Sequence, residues 1–384
     1  MAMRRTLFDE EHDLFRDQFR RFVKKEVEPK VAGWNETGYC DHDTWRRMGE
    51  EGYLGVNAPE EYGGSGGGFL YSTIVIEELA WVRAHPLLTL LHSDIVMPYL
   101  VRHGSEEQKR RYLAATIRGE KVLGICMTEP GGGSDLAALR TTARRDGDDW
   151  VLNGSKIFIT LGCSGDLYVV AARSDPAAAR PHAGISLFLV EASTPGFKKA
   201  RRLEKLGLKG QDTGEIFFED CRVPAANLLG TQGQGFKMMM EGLQQERLVV
   251  AVSAVAMCRR SLHDTTEYVK QRTAFGQPIA AFQNTQFKIA EMATEIELAQ
   301  AFVDRITEAH VAGEDVVMEV SMAKWWTTEL HKRLTSQCLQ LWGGYGFMLE
   351  TPIAGDYADA AVSTIGGGTT EIMKVIISRR LGLG

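Results

Sequence analysis

The sequence has no apolar run long enough to cross a membrane, and its start lacks the apolar stretch of a signal peptide. Its six cysteines are scattered, with no CxxC pair and no histidine at ligand spacing nearby, so free thiols are expected and no metal site is predicted. Basic residues are not in excess, since 44 Lys and Arg stand against 50 Asp and Glu. We therefore expect a cytoplasmic protein with neither a nucleic-acid nor a membrane partner.

Helical periodicity dominates both ends of the chain. Apolar residues at helical spacing from Leu7 to about Lys30 predict one amphipathic helix that ends near Pro29. The same spacing predicts shorter helices at 43–51, 71–81, 87–103 and 106–118. After Gly235 it predicts three long helices, at 236–270, 283–312 and 316–342.

The middle of the chain has the character of strands. Between Lys121 and Gln232 the apolar runs are short and rich in β-branched residues, with strands predicted at 167–173, 185–193 and 216–220. The pair Asn153-Gly154 between two apolar runs predicts a hairpin turn. The expected fold class is α+β multidomain, with an N-terminal helical domain at 1–120, a middle β-barrel or sandwich domain at 121–232 and a C-terminal four-helix bundle at 233–384.

Two segments of the middle domain are rich in small and hydroxyl residues. These are MTEPGGGSD at 127–135 and SKIFITLG at 155–162. A glycine-rich turn is most often only a turn, but its exposed N–H groups can also hold a phosphate or the polar edge of a flavin. Because the spacing matches neither GxGxxG nor the P-loop, the usual nicotinamide and ATP sites are not indicated.

These segments resemble motifs of the FAD-dependent acyl-CoA dehydrogenase family. TEPGGGSD is similar to the family's TEPxAGSD, with Gly132 at the position of Ala, and FIT at 158–160 is similar to the WIT that lies against the flavin ring. The segments at 205–230, 271–283, 340–344 and 366–372 resemble the family's further motifs, in the family's order. The pattern is closest to the long-chain and isovaleryl type.

The resemblance implies FAD as the cofactor and an acyl-CoA as the substrate. The implied cofactor residues are Met127, Thr128, Ser134, Phe158, Ile159, Thr160, Arg272, Phe275, Gln283, Gln340, Gly343, Gly344, Thr369 and Glu371. The implied substrate residues are Ser134, Phe236, Gln244, Arg247 and Gly366. Since Arg272, Phe275 and Gln283 match residues that reach a neighbour's FAD, a homo-oligomer is expected. The resemblance implies a tetramer, with electron-transfer flavoprotein as the electron acceptor.

The family's reaction removes an α-proton while hydride leaves the β carbon for flavin N5, which gives a trans-2-enoyl thioester. An α-proton beside a thioester is too weakly acidic for a carboxylate unless donors stabilise the developing charge on the carbonyl oxygen. The resemblance assigns that role to the N–H of Gly367, together with a flavin ribityl hydroxyl.

The position of the base is where the chain departs from the common pattern. Many members carry the catalytic Glu in an IYEGT loop, but the matching segment is IGGGT, with Gly366 and Gly367 at the Tyr and Glu positions. The long-chain and isovaleryl subgroup instead has its base in a QER or LER sequence on a C-terminal helix, which matches Glu246. A Glu-Arg pair on a helix is ordinarily solvated. Here the apolar neighbours predict burial, which raises a carboxylate's pKa toward the range of a base.

Other functions fit the same motifs. A substrate carried by acyl carrier protein, an acyl-CoA oxidase, and a non-catalytic subunit of a hetero-oligomeric dehydrogenase are the alternatives. The volume lost at Gly366 is filled either by Tyr345 or Trp342, or by a bulky acyl group. The run Met238–Met240 is expected to lie in the core.

Overall fold

A computed structural model describes residues 5–383; residues 1–4 and Gly384, which the predicted domain bounds include, lie outside the described residues. The fold class is the predicted one, with helices at both ends of the chain and strands between them. No helix within the described residues is both long and apolar enough to cross a membrane. The N-terminal helices are α1 (Glu10–Phe22), α2 (Val31–Thr37), α3 (His42–Glu50), α4 (Phe69–Trp81), α5 (Met97–His103), α6 (Glu106–Gln108) and α7 (Ala114–Ile117).

The prediction that the first helix ends near Pro29 is wrong. The chain continues from α1 through a π-helical turn at Val23–Val27 and a 3-10 turn at Glu28–Lys30 into α2. Proline lacks an N–H and clashes with the preceding turn of a regular helix, so this change of winding lets the helical path pass Pro29. Wide turns also occur at Leu90–Val96, which leads into α5 with Pro98 in its first turn.

The middle of the chain forms one eight-stranded sheet in the order β6-β7-β3-β2-β4-β5-β8, with β1 parallel to β4. Both β4 and β5 are buried along almost their whole length, and they form the centre of the domain's core. The strands are β1 (Leu123–Cys126), β2 (Thr142–Asp146), β3 (Asp149–Thr160), β4 (Leu167–Arg173), β5 (Ile185–Glu191), β6 (Phe197–Arg202), β7 (Thr213–Pro224) and β8 (Leu228–Leu229).

The predicted hairpin at Asn153-Gly154 is wrong. These residues lie inside β3, where the pairing with β7 shifts between Leu152 and Gly154. A Cβ on Gly154 would lie 2.7 Å from the Cα of Thr141, so the glycine allows a close approach of two backbones. The turn itself falls earlier, between the paired residues Asp146 and Asp149.

The C-terminal part consists of long helices that match the three predicted ones. Its core joins Val252 and Val255 of the first of them to Met292, Ile296 and Leu330 of the next two. Met238 and Met239 are buried, as expected, whereas Met240 is exposed. The elements are α8 (Gly235–Gln271), a hairpin of β9 (Thr273–Ala274) and β10 (Gln277–Pro278), α9 (Gln283–Val311), α10 (Val317–Trp342), α11 (Pro352–Ser363) and α12 (Thr370–Arg380).

Candidate active site

The carboxylate of Glu246 lies between α8 and α5. The hydroxyl of the buried Tyr99 donates a hydrogen bond of 2.8 Å to its Oε1. Within residues 5–383 no Lys or Arg forms an ion pair with Glu246. Glu246 is half-buried, and its carboxylate is therefore held by one neutral donor, without a cation from the described part of the chain in contact with it.

Burial raises the pKa of Glu246 to about 7. The Tyr99 hydrogen bond and the positive charges of Arg247 and Arg102 act in the opposite direction, but burial has the larger effect. A carboxyl group with this pKa is partly ionised at neutral pH and keeps a proton that it accepts. These are the properties required of a general base.

Arg247 does not orient Glu246 by a hydrogen bond. Its side chain is buried, and its Nε has no acceptor among the described residues. The charge of Arg247 helps to lower the pKa of Lys324 on α10, so the guanidinium lies on that side of α8. A buried donor without a partner is costly, which is consistent with an acceptor from a ligand at this position.

The loop of Gly366, Gly367 and Gly368 meets α8 one turn beyond Glu246. A Cβ on Gly367 would lie 3.6 Å from Cγ2 of Val250, which follows Glu246 by one helical turn. Gly367 has a φ of 66°, in the left-handed region that glycine adopts without strain. Its N–H donates to no acceptor among the described residues. The loop thus presents a free donor near α8, one helical turn from Glu246.

Lys324 holds this loop from below. It is fully buried on α10, and its Nζ donates to the carbonyl oxygens of Ser363 at 3.0 Å and Gly368 at 2.7 Å. Burial lowers the pKa of Lys324 to about 8. The sequence reasoning missed this residue, since α10 also carries Lys332 and its sequence does not single out Lys324.

A second buried lysine shapes the first glycine-rich segment. The Nζ of Lys156 donates to the carbonyl oxygen of Met127 at 3.0 Å and to Oε1 of Glu129 at 2.9 Å. Glu129 also accepts from the backbone N–H groups of Arg140 and Thr141. The first part of the segment is therefore anchored, while Ser134 is exposed.

The two motifs of the middle domain lie side by side. The N–H of Ile157 donates to the carbonyl oxygen of Thr128 at 3.0 Å, which brings Phe158 next to the glycine-rich segment. Phe158 is 64% exposed and has a φ of 58°, a conformation that costs energy in any residue but glycine. An exposed aromatic face beside free glycine backbone fits the ring and polar edge of a flavin. Thr160 is half-buried on the same strand, but the side chain of Ile159 lies in the core, so only its backbone is available to a cofactor.

A third group of predicted residues lies on a different face. Phe275 is 94% exposed at the tip of the β9-β10 hairpin, with a positive φ of 52°. The guanidinium of Arg272 lies 5.7 Å over the ring of Tyr345, which brings the hairpin to the end of α10. We call this surface the hairpin face. Its other predicted cofactor residues, all exposed, are Gln283, Gln340, Gly343 and Gly344.

No hydrogen bond or ring contact within residues 5–383 joins the hairpin face to the motifs of the middle domain. Phe347 and Leu349 are also exposed near the end of α10, so the region is apolar. Apolar surface of this kind marks a site of contact with another molecule.

Some predicted residues have structural partners. The side-chain amide of Gln244 bonds to His310, the carbonyl oxygen of Glu314 and the N–H of Val316, which weighs against a role in substrate binding. The hydroxyl of Thr369 caps α12 by accepting from the N–H of Ile372. Glu371 is exposed in the first turn of that helix, and Phe236 is half-buried against His182.

Gly366 has open space around it. The nearest atom to a Cβ at this position would be the carbonyl oxygen of Val362, at 3.7 Å. Trp342 stacks on Tyr268 with the ring centroids 4.0 Å apart, and Tyr345 lies beneath Arg272. Neither Trp342 nor Tyr345, the two side chains expected as candidates to fill this space, lies within 4 Å of a Cβ at Gly366.

Tyr99 is the functional candidate that the sequence did not reveal. A tyrosine among Met97, Leu100 and other apolar residues has the pattern of a core residue, and most of its ring does pack in the core. Only the fold places its hydroxyl against a carboxylate 147 positions further along the chain.

Comparison with known families identifies all three parts of the chain. The N-terminal, middle and C-terminal domains of acyl-CoA dehydrogenases match residues 9–120, 124–221 and 233–382. The long-chain specific acyl-CoA dehydrogenase of Sus scrofa mitochondria is 46% identical over 377 residues, which cover 98% of this chain and 88% of that protein.

Solved structures agree with this similarity. The crystal structure of an acyl-CoA dehydrogenase from Geobacillus kaustophilus has a TM-score of 0.97 and 50% identity, and the match covers 98% of this chain and 100% of that one. A glutaryl-CoA dehydrogenase from Mycobacterium smegmatis, solved in complex with FADH2, has a TM-score of 0.90 and 28% identity, covering 98% and 95% of the two chains.

The raised pKa of Glu246 predicts how stability depends on pH. The native state binds the Glu246 proton more tightly than the unfolded state does, so stability contributed by this group is lost as the pH rises from about 4.5 to about 7. Glu246→Gln removes this loss. The variant should gain on the order of 3 kcal/mol in the free energy of unfolding, relative to wild type, between pH 5 and pH 8.

Urea unfolding at a series of pH values measures this difference. Glu241→Gln is the control, because it makes the same change at an exposed carboxylate on the same helix. A Glu246→Gln difference that stays constant from pH 5 to pH 8 would show that the carboxylate is not forced toward its neutral form.

Proposed function

The chain belongs to the acyl-CoA dehydrogenase family, and we propose that it oxidises a saturated acyl-CoA at its α and β carbons, with Glu246 as the base that removes the α-proton. The family depends on FAD. The observation that carries the proposal is the placement of a half-buried carboxylate, without an ion-pair partner among the described residues, one helical turn from a loop with a free N–H group. A non-catalytic subunit would have no need of this costly arrangement.

Gly367, Glu246 and Lys324 have different roles in the proposed reaction. The N–H of Gly367 stabilises the charge that develops on the thioester oxygen, which makes the α-hydrogen acidic enough for a carboxylate. Glu246 then takes the proton at its carboxylate, and its pKa of about 7 allows it both to accept the proton and to release it later. When bound, FAD supplies the acceptor for the hydride. Lys324 keeps the Gly367 donor in place through the carbonyl oxygen of Gly368.

The residues that fit FAD are those of the middle-domain motifs. Thr128, Ser134 and Thr160 offer hydroxyl groups beside free glycine backbone, and Phe158 offers an aromatic face. Backbone strain at Phe158 supports a functional role, because strain persists where a bound partner makes use of the conformation.

The substrate is proposed to be a long-chain acyl-CoA with tolerance for bulk near its reacting carbons. The first part is supported by the similarity to a long-chain specific relative, which is 46% identical. The second is supported by the open space at Gly366, where, among the described residues, no side-chain atom lies within 4 Å of a Cβ built at that position. A CoA thioester is favoured over a carrier-protein thioester by the same relative.

The active enzyme is proposed to be a homo-oligomer, with a tetramer as the family's expected form and electron-transfer flavoprotein as its electron acceptor. Its support is the hairpin face, where Arg272, Phe275 and Gln283 are exposed and apart from the chain's own middle-domain motifs. A side chain as large as Phe275 at 94% exposure is costly unless a partner covers it.

Replacing the base should abolish turnover while leaving the cofactor bound. Glu246→Gln fills the same space but accepts no proton, so anaerobic bleaching of the flavin by a long-chain acyl-CoA should slow by at least about 10²-fold. Glu241→Gln on the same helix should bleach at the wild-type rate. Wild-type bleaching by Glu246→Gln would show that another group is the base.

Removing Arg272 should weaken FAD binding and assembly together. Arg272→Ala deletes an exposed cation of the hairpin face, and the particle mass from light scattering and the FAD content should both fall. Lys270→Ala is the control, since Lys270 is exposed two residues earlier and pairs with Glu267. A monomer that keeps a full complement of FAD would contradict a cofactor site shared between subunits.

Filling the space at Gly366 should narrow the substrate range. Gly366→Tyr places a ring where only the carbonyl oxygen of Val362 lies within 4 Å of the Cβ. Rates on α- or β-branched acyl-CoAs should fall by about 10-fold or more, while straight chains and FAD content are retained, because a filled pocket excludes the added carbon. Gly366→Ala is the smaller control. An equal loss on both substrate classes would exclude a role for this space in specificity.

A further inference from the structure

We propose that Tyr99 is a positioning residue for Glu246, and that Gly242 supplies the space in which the two side chains meet. The proposal rests on the proposed function, in which Glu246 is the base. It is drawn from one hydrogen bond, from the burial of its donor, and from the absence of a side chain at one position of α8.

The Tyr99 hydroxyl is a fixed donor. Its ring is buried in the cluster that contains Met97 and Leu100, and this packing fixes the position of the hydroxyl beside Glu246. Burial raises the pKa of Tyr99 well above its usual range, which keeps the hydroxyl protonated at any pH at which the enzyme works. Its hydrogen bond to Oε1 of Glu246, at 2.8 Å, therefore stabilises the ionised carboxylate and directs its other oxygen away from Tyr99.

Gly242 is required by this pair. It precedes Glu246 by one turn of α8, and a Cβ there would lie 2.5 Å from Oε1 of Glu246 and 3.0 Å from the hydroxyl oxygen of Tyr99. The first distance is shorter than a real Cβ contact, so any side chain at position 242 would displace the carboxylate. Glycine inside a helix is otherwise unfavourable relative to alanine. Glycine at position 242 therefore makes α8 less stable than alanine would, but it allows Glu246 to keep its orientation toward Tyr99.

The other charged groups near the pair lie on three elements. Arg102 and His103 are on α5, Arg247 is on α8, and Asp94 precedes α5 with its Oδ1 lacking a partner among the described residues. Arg102, His103 and Asp94 line a small, partly open cavity that also reaches Tyr99 and Gly242. None of these groups changes in Tyr99→Phe, so a change in the pH profile of that variant reports the lost hydroxyl.

The first experiment is the pH dependence of kcat/KM for Tyr99→Phe, with a long-chain acyl-CoA and an artificial electron acceptor. Without its donor the carboxylate is a weaker acid, so the acidic limb of the profile should move up by about one pH unit. At pH 7 kcat should fall by about 10-fold with little change in KM, because fewer molecules carry the ionised and aligned base.

Tyr62→Phe is the matched control. It deletes a hydroxyl that donates at 2.8 Å to another carboxylate, that of Glu106, within the same helical domain. Both tyrosines belong to one core cluster, so both variants lose a similar structural contact. The control should keep the wild-type profile.

Gly242→Ala tests the space independently of the hydroxyl. Its new methyl group displaces the Glu246 carboxylate from Tyr99, so the acidic limb should shift in the same direction although alanine favours the helix. The double variant Gly242→Ala with Tyr99→Phe should shift no further than the larger single effect, because both changes break one interaction.

The outcomes separate this proposal from the proposed function. Suppose that Glu246→Gln is inactive. If the acidic limb of the Tyr99→Phe profile then stays at its wild-type position, or if the rate of Tyr99→Phe falls equally at all pH values, the positioning role alone is overturned. Additive shifts in the double variant overturn it as well. An active Glu246→Gln overturns the assignment of the base itself, whatever Tyr99→Phe shows.

Discussion

Partial removal of the Glu246 carboxylate from water is the constraint on which the rest of the site depends. A buried carboxylate can be stabilised by a cation, but an ion pair would lower its pKa and leave it a poor base. The fold instead gives it one phenol donor and keeps Arg247 and Arg102 at a distance, so that its pKa stays near 7. The raised pKa, on which the proposed role of Glu246 depends, is therefore a consequence of incomplete stabilisation, which the packing of the long helices offsets elsewhere.

Buried amines perform a different task in this molecule. Lys156 anchors the glycine-rich segment of the middle domain, and Lys324 anchors the glycine loop of the C-terminal domain. Lys324 donates to two backbone carbonyl oxygens, whereas Lys156 donates to one backbone carbonyl oxygen and to the carboxylate of Glu129. Both loops combine glycines, whose backbone is exposed, with a rigid attachment beneath them. This arrangement keeps N–H groups available to a ligand and limits the motion that would misplace them.

Much of the fold and part of the site could be predicted from the sequence. The long helices and the strands at 167–173 and 185–193 follow from strong periodicity or from continuous apolar runs. The errors at Pro29 and at Asn153-Gly154 have a common cause, since each sequence is a local signal that the surrounding structure overrides. A change of helical winding lets the chain continue past Pro29. A shift in strand pairing keeps Asn153-Gly154 within β3. Glu246 could be identified from the sequence because it lies in a motif. Tyr99, Gly242 and Lys324 could not, because their roles depend on contacts between residues far apart in the chain.

The most direct test of Glu246 as the base is exchange of the α-hydrogen without oxidation. A long-chain thioester with a heteroatom in place of the β carbon cannot give up hydride, so any exchange of its α-hydrogens with deuterium from solvent reports proton removal alone. Mass spectrometry should show exchange by the wild-type holoenzyme, with an apparent pKa near 7, and none above the solution rate by Glu246→Gln. Undiminished exchange by that variant would contradict the assignment.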